Sequence, residues 1–166
     1  MQALVADLRE RSAQIALVHG DVSQKNILVG PDGPILLDAE CAWYGDPAFD
    51  IAFCLNHLLL KALVRPERRG ELLASFEAFV QAYFAEGRFD PRAGLEGRAA
   101  ALLPALMLAR VDGKSPVEYL RDETSRDTVR HFAAPRIASA PRTLDQIARD
   151  WLAARAGPFA EPGTPR

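Results

Sequence analysis

Residues 18–52 constrain this chain more than any other part of its sequence. They hold one histidine, five aspartates, one glutamate and one asparagine, interleaved with two short apolar runs at residues 27–29 and 35–37. Branched apolar residues in such short runs favour β-strands. The glycines and prolines of residues 30–34 are typical of a tight connection. The pattern predicts a small β-hairpin.

Three oxygen-bearing side chains flank this predicted hairpin. Asp21 and Asn26 precede its first strand, and Asp38 ends its second. An antiparallel hairpin brings the start of one strand beside the end of the other, so we expect the three side chains to meet there. Carboxylate and amide oxygens suit Mg²⁺, which keeps several waters and binds substrate phosphates. The sequence therefore predicts a magnesium site at the open end of the hairpin.

Four sub-motifs occur here in one order. They are His-Gly-Asp at residues 19–21 with an asparagine at 26, the hairpin, Leu-Asp-x-Glu at 37–40, and Gly-Asp-Pro-x-x-Asp-Ile-Ala at 45–52. In these residues the chain resembles the C-terminal lobe of the aminoglycoside phosphotransferase and choline-kinase-like family, which shares the protein-kinase fold. The resemblance implies an α+β, mainly α-helical fold with a small β-hairpin at the catalytic site.

The resemblance also implies a role for each motif residue. Asp21 would be the catalytic aspartate that orients the acceptor hydroxyl group and takes its proton, while Asn26 and Asp38 would hold Mg²⁺ on the phosphates of ATP. Glu40 would bind the same metal or its waters, or be an ordinary surface carboxylate. His19, Asp46 and Asp50 are expected to support the structure. We expect His19 to anchor the loop, Asp46 to organise the loop before the next helix, and Asp50 to be the N-cap of that helix.

Two positions depart from the common pattern of the family. Many relatives carry His or Lys two residues after the catalytic aspartate and Gly just before the asparagine, whereas this chain has Ser23 and Lys25. A serine cannot donate positive charge to a γ-phosphate. The charge would then come from Lys25, which would take part in binding the cofactor, from another lobe, or from no residue at all. The other interpretation of Lys25 is an ordinary solvated lysine.

The resemblance covers residues 1–156 as a C-terminal, catalytic lobe only. The glycine-rich loop and the Val-Ala-Ile-Lys-like run of an N-terminal ATP-binding lobe do not occur in the sequence. We expect the chain to be a fragment, a partner-dependent short form or an inactive form. We also expect association, of two copies or with a partner, through the face left by the missing lobe.

The rest of the chain is predicted to be helical. An amphipathic helix over 1–14 leads into a strand at 15–18, and further helices are expected at 50–63, 71–85, 95–111 and 144–156. Residues 87–94 should be a connection, Pro104 should kink or split its helix, and Thr143 should cap the last one. The arginines of residues 118–138 form a solvated face or contribute to specificity. Residues 157–166 are expected to be a disordered tail.

Composition excludes several classes of protein. The formal net charge is −2 and the sequence pI is about 5.9, which does not favour a nucleic-acid binder. The sequence has no apolar stretch long enough for a membrane span and no signal-peptide pattern, so we expect a cytoplasmic protein. Its two cysteines have neither the number nor the spacing of a disulfide framework or zinc site.

The leading hypothesis is an ATP- and Mg²⁺-dependent phosphotransferase that acts on a hydroxyl group of a small molecule, similar to aminoglycoside phosphotransferases. The alternative is a non-catalytic, kinase-like binding or regulatory module. A metal-dependent hydrolase that reuses the same carboxylates is a weaker third hypothesis, because the chain has only three histidines.

Overall fold

Five α-helices and four short β-strands make up the part of the chain that the structure, a computed structural model, describes: residues 15–86 and 91–156. The predicted helix at 1–14, the first part of the 87–94 connection and the tail at 157–166 lie outside the described residues. The elements are β1 Ala16–Val18, β2 Ile27–Gly30, β3 Gly33–Leu36, β4 Trp43–Gly45, α1 Ala48–Val64, α2 Arg69–Glu86, α3 Arg92–Asp112, α4 Glu123–Ala138 and α5 Leu144–Ala156. The prediction of a mainly helical chain with a small hairpin is confirmed.

The strands form two separate antiparallel pairs. β2 pairs with β3 in the register Ile27↔Leu36, and β1 pairs with β4 in the register Val18↔Trp43. The predicted hairpin is therefore present, but its turn is shorter than expected. Only two residues, 31 and 32, connect the strands, because Gly33 adopts a φ of 122° that accommodates the sharp reversal. Strand β4 was not predicted, since residues 43–45 are too short a run to show alternation.

Helix α1 forms the centre of the core. Most of its residues are buried, and α2, α3 and α5 pack around it. Trp151 of α5 is 1% exposed, and its indole Nε1 donates a hydrogen bond to the carbonyl oxygen of Leu59 on α1, at 3.2 Å. The aromatic stripe of α2, which we interpreted as packing, lies against this core. Helix α1 therefore provides a buried support for the loops and strands that precede it in the sequence.

The start of α1 corrects one prediction. The helix begins at Ala48, so Asp50 lies inside its first turn and is not its N-cap. Asp46 does the capping instead, since its Oδ1 accepts a hydrogen bond from the Ala48 amide at 2.9 Å. Proline directly before the helix suits this entry, because it has no amide hydrogen that would need a partner.

Other boundaries differ by a few residues. Helix α3 begins at Arg92, inside the predicted connection, and continues through Pro104 without splitting. Helix α4 lies within residues 118–138, for which no helix bounds were predicted, and it begins at Glu123, where Asp122 accepts a hydrogen bond from the Ser125 amide at 2.7 Å. Helix α5 has the predicted bounds, and its Gln146 amide donates to Thr143 Oγ1 at 3.2 Å, which confirms that cap. Within residues 15–86 and 91–156, no helix is long and apolar enough to cross a membrane.

Gly20 marks a close approach between the loop after β1 and the segment before β4. Its φ is 86°, and a Cβ atom there would lie 2.6 Å from the Cys41 carbonyl oxygen and 2.7 Å from Trp43 Cζ3. Both the backbone conformation and the lack of space therefore require glycine.

Replacing Gly20 with alanine should destabilise the fold. We expect Gly20→Ala to lower the free energy of unfolding by about 1–3 kcal/mol, because it combines an unfavourable positive φ with a backbone clash. Urea denaturation followed by circular dichroism measures this. Gly70→Ala is the control, since no atom lies within 4 Å of the added Cβ and alanine favours a helix. Equal stability of the two variants would contradict the prediction.

Candidate functional site

The loop between β1 and β2 is attached to α1 through one carboxylate. Oδ2 of Asp50 accepts a hydrogen bond from the His19 amide at 2.7 Å, and Oδ1 accepts one from the Gly20 amide at 2.9 Å. Asp50 lies in the first helical turn, where the positive end of the helix dipole favours a negative charge. The two bonds place the backbone of residues 19–26 against the N-terminal end of a buried helix. We call this segment the catalytic loop, after the role that the resemblance predicts for it.

The His19 side chain connects this loop to the hairpin. Its Nδ1 accepts a hydrogen bond from the Asp21 amide at 3.3 Å, and its Nε2 lies 2.9 Å from the carbonyl oxygen of Leu37. A carbonyl oxygen can only accept, so these contacts assign the ring proton to Nε2. His19 therefore bridges Asp21 and the residue directly before Asp38.

Asn26 fixes the orientation of Asp21. Its amide Nδ2 donates to both the carbonyl oxygen and Oδ2 of Asp21, at 2.9 Å each. No described residue donates to the Oδ1 atom of Asp21. One carboxylate oxygen is thus held in place while the other is available to an incoming donor.

Asp38 follows at the same end of the hairpin. Ile27 pairs with Leu36, and the Leu37 amide donates to the Asn26 carbonyl oxygen at 2.9 Å, so Asn26 and Asp38 flank one strand end. Asp38 has φ 63° and ψ 55°, the only positive φ of a non-glycine residue in the described part of the chain. Its exposed carboxylate forms no hydrogen bond or ion pair with another described residue. Such strained positions are concentrated at functional sites.

The donor set fits a hard divalent cation. Because Asn26 Nδ2 donates to Asp21, the Oδ1 atom of Asn26 is a neutral oxygen ligand that would act together with the carboxylates of Asp21 and Asp38. Across residues 15–86 and 91–156, no three His, Cys, Asp or Glu side chains are close enough to hold a metal by themselves. A cation here would thus need Asn26, waters or phosphate oxygens, and the role of Glu40 stays a prediction.

Lys25 forms an ion pair with Asp21, the predicted catalytic aspartate. Its Nζ lies 3.1 Å from Asp21 Oδ2, and its side chain is 68% exposed. Ser23 is buried at 3% exposed and its hydroxyl has no partner in the described structure. Where many relatives carry a His or Lys, this chain has Ser23, and the positive charge of Lys25 lies two residues later on an exposed side chain.

An ion pair that the sequence did not indicate supports the loop before α1. Arg98 Nε on α3 lies 2.6 Å from Asp46 Oδ2, and the two side chains are 8% and 9% exposed. The same carboxylate caps α1 through the Ala48 amide. The prediction for Asp46 named no partner, because Arg98 is 52 residues away in the sequence.

Removing the charge of Asp46 should destabilise the protein strongly. Asp46→Asn keeps an oxygen for the Ala48 amide but takes this carboxylate away from a buried guanidinium group, which typically costs about 3–5 kcal/mol. Asp145→Asn is the matched control, because the Asp145–Arg149 pair is exposed and such pairs contribute about 0–1 kcal/mol. Urea denaturation measures the free energy of unfolding of both variants. A similar decrease in the two variants would contradict the prediction that the buried ion pair stabilises the fold.

His57 lies one helical turn from Lys61 on α1. Its Nδ1 is 2.9 Å from the Tyr119 hydroxyl, and its ring is 8% exposed. Burial, followed by the positive charges of Arg110 and Lys61, lowers the pKa of His57 to about 4. The imidazole is therefore neutral at physiological pH.

This lowered pKa predicts acid sensitivity. The unfolded chain binds a proton near pH 6.5 and the folded chain only near pH 4, so stability is complete above pH 6.5 and falls as pH drops between these values. The loss amounts to about 3 kcal/mol at most. We expect His57→Gln to remove this component of the pH dependence, measured by urea denaturation from pH 4 to 7. His131→Gln, at an exposed histidine, is the control, and an unchanged slope in His57→Gln would contradict the prediction.

A cavity of about 420 Å³ between the end of α4 and α5 contains none of the predicted site residues. Its Arg136 is already paired with Asp150 at 2.9 Å. The arginines of α4 are similarly paired, with Arg130 contacting Asp112, Glu123 and Asp127. The predicted catalytic and metal-binding residues lie instead in the loop at residues 19–26 and just after the hairpin.

Comparison with known proteins is consistent with this location. The sequence profile of the phosphotransferase enzyme family matches residues 1–96, which include the whole site. The chain is similar to a methylthioribose kinase of Geobacillus sp. (strain WCH70), at 41% identity over 58 residues, 35% of this chain and 14% of that protein. It is also similar to a methylthioribose kinase of Yersinia pestis (strain Pestoides F), at 31% identity over 121 residues, 62% and 30% of the two chains. A probable ketoamine kinase of Escherichia coli (strain K12) is 38% identical over 61 residues, 34% and 21% of the two chains. The chain thus spans less than a third of the length of these relatives.

Proposed function

Because the chain belongs to the phosphotransferase enzyme family, we propose that it transfers the γ-phosphoryl group of ATP to a hydroxyl group of a small molecule. The observation that carries this proposal is the arrangement at the open end of the hairpin. There Asn26 orients Asp21, and the exposed carboxylate of Asp38 follows on the opposite strand.

Each residue has a distinct part in the proposed reaction. The Oδ1 atom of Asp21 accepts the proton of the acceptor hydroxyl, whose oxygen then forms a bond to the γ-phosphorus as the bond to ADP breaks. Asn26 and Asp38 would hold Mg²⁺, which would supply positive charge to neutralise the phosphates. The Nζ atom of Lys25 lies 3.1 Å from Asp21 in this structure. We propose that it turns toward the transferred phosphoryl group and supplies the positive charge that Ser23 cannot provide.

The names of the relatives narrow the proposed acceptor. They are methylthioribose kinases and a probable ketoamine kinase, so we propose a small hydroxyl-bearing metabolite as the substrate. An amino-sugar acceptor belongs to the same chemical class. We propose that discrimination between them depends on side chains outside the motifs.

We also propose that the chain acts as the catalytic lobe of a two-lobed kinase-like fold. Apolar side chains on the strands are exposed: Val29 at 90%, Tyr44 at 79%, Leu17 at 67%, and Leu28 and Ile35 at 52% and 55%. Exposed apolar patches of this kind mark interaction surfaces. Val29, Leu28 and Ile35 lie on the hairpin that precedes Asp38, and Leu17 and Tyr44 lie on the separate β1–β4 pair. We propose that a nucleotide and its covering lobe lie over the hairpin.

Nucleotide binding tests the proposed site directly. We expect isothermal titration to show binding of ATP in the presence of Mg²⁺ and at least ten-fold weaker binding by Asp38→Ala, since this carboxylate holds the cation on the phosphates. Asp32→Ala is the matched control, because Asp32 lies in the exposed turn at the other end of the same hairpin. Binding that is absent in wild type, or unchanged in Asp38→Ala, would contradict the proposal and favour a non-catalytic module.

A further inference from the structure

One face of α1 follows the catalytic loop along its length. Asp50, His57 and Lys61 are spaced by seven and four residues, which places them on the same side of the helix. Asp50 binds the start of the loop, and Lys61 Nζ donates to Gln24 Oε1 near its end, at 2.8 Å. His57 lies between these two attachments. It therefore faces the loop that carries Asp21.

Two other segments converge on His57. Tyr119, from the connection between α3 and α4, contacts its Nδ1 at 2.9 Å. The ring of Phe53 lies 5.1 Å from the His57 ring, and the guanidinium carbon of Arg110 lies 4.7 Å above that of Phe53. Helix α1, the end of α3 and the following connection thus bring aromatic, hydroxyl, imidazole and guanidinium groups together beside the catalytic loop.

Arg110 has no acidic partner among the described residues. One of its terminal nitrogens donates to the Ser115 carbonyl oxygen at 3.0 Å, and its Nε atom is buried without a partner. In contrast, the partly buried Arg130 and Arg136 each contact a carboxylate. Arg110 also helps to lower the pKa of His57, so its positive charge acts on this cluster. A buried guanidinium nitrogen without a partner costs free energy, and a ligand carboxylate bound to this guanidinium group would offset that cost.

We propose that Arg110 binds a carboxylate of the acceptor and that the His57–Tyr119 pair binds its hydroxyl groups. This inference rests on the proposed phosphotransferase function and adds the class of acceptor, a small hydroxyl-bearing carboxylic acid. A guanidinium group suits a carboxylate because its planar donors match the two oxygens. The neutral imidazole and the tyrosine hydroxyl suit hydroxyl groups because each can donate or accept a hydrogen bond.

Matched acceptor pairs test the proposal without depending on catalysis. The probes are gluconate against sorbitol, and fructosylglycine against fructosylethylamine, since the members of each pair differ mainly in one carboxylate. Isothermal titration measures their binding to the whole chain, with and without ATP and Mg²⁺. We expect at least one carboxylate probe to bind about ten-fold more tightly than its partner, as a charge-assisted hydrogen bond implies.

Variants of Arg110 test whether this residue causes the preference for carboxylate probes. We expect Arg110→Gln to reduce it to less than two-fold, and Arg110→Lys to retain part of it because the charge remains but the planar fork is lost. Arg149→Gln, at an exposed arginine of α5, should bind all probes like wild type. Circular dichroism checks that each variant is folded, and the wild-type comparison holds even where a variant is not.

The outcomes separate this inference from the proposed function. Arg110-dependent carboxylate binding without ATP binding supports the acceptor site and contradicts the kinase function. ATP binding and phosphoryl transfer without any carboxylate preference support the kinase function and overturn the acceptor site. A preference that persists in folded Arg110→Gln, or no binding of any carboxylate probe by wild type, also overturns it.

Discussion

The candidate site depends on the two hydrogen bonds that the Asp50 carboxylate accepts from the His19 and Gly20 amides. They attach an irregular loop to the first turn of the most buried helix, where the amide dipoles favour negative charge. A loop has few apolar contacts of its own, so its position must come from such bonds. Phosphoryl transfer depends on positioning and on charge neutralisation, which makes this attachment a condition for the proposed chemistry.

Further hydrogen bonds hold the rest of the loop in place. His19 joins the loop to the strand end before Asp38, and Asn26 holds Asp21. Lys61 reaches Gln24 from the same helix that contains Asp50. The loop is thus supported at its start, middle and end, while Asp38 and one oxygen of Asp21 remain without partners in the described structure. The residues that position the loop thus have hydrogen-bond partners, whereas the carboxylate oxygens proposed to react or to bind the cation have none in the described structure.

The local part of this arrangement could be predicted from the sequence. The hairpin follows from branched apolar runs around a glycine-proline turn, and antiparallel pairing then places Asn26 near Asp38. The N-cap was wrongly assigned to Asp50, because two aspartates near a helix start are equally good caps by composition and only the structure shows which amides each one meets. The pairing of Asp46 with Arg98 spans 52 residues and could not be predicted, since no local pattern relates two side chains at that separation.

Arg98 and Arg110 show that two arginines of the same helix can have different roles, because the residues around them differ. Both are arginines in the alanine- and leucine-rich helix α3, and a charge in such a run is the only hint that the sequence offers. Twelve residues along a helix correspond to about three turns plus a third of a turn, so the two side chains leave α3 on different faces. Arg98 meets a buried carboxylate, and its charge stabilises the fold. Arg110 meets an aromatic ring and a carbonyl oxygen, neither of which neutralises a full charge. Arg110, which has no carboxylate partner among residues 15–86 and 91–156, is therefore the arginine that we propose as a ligand-binding group.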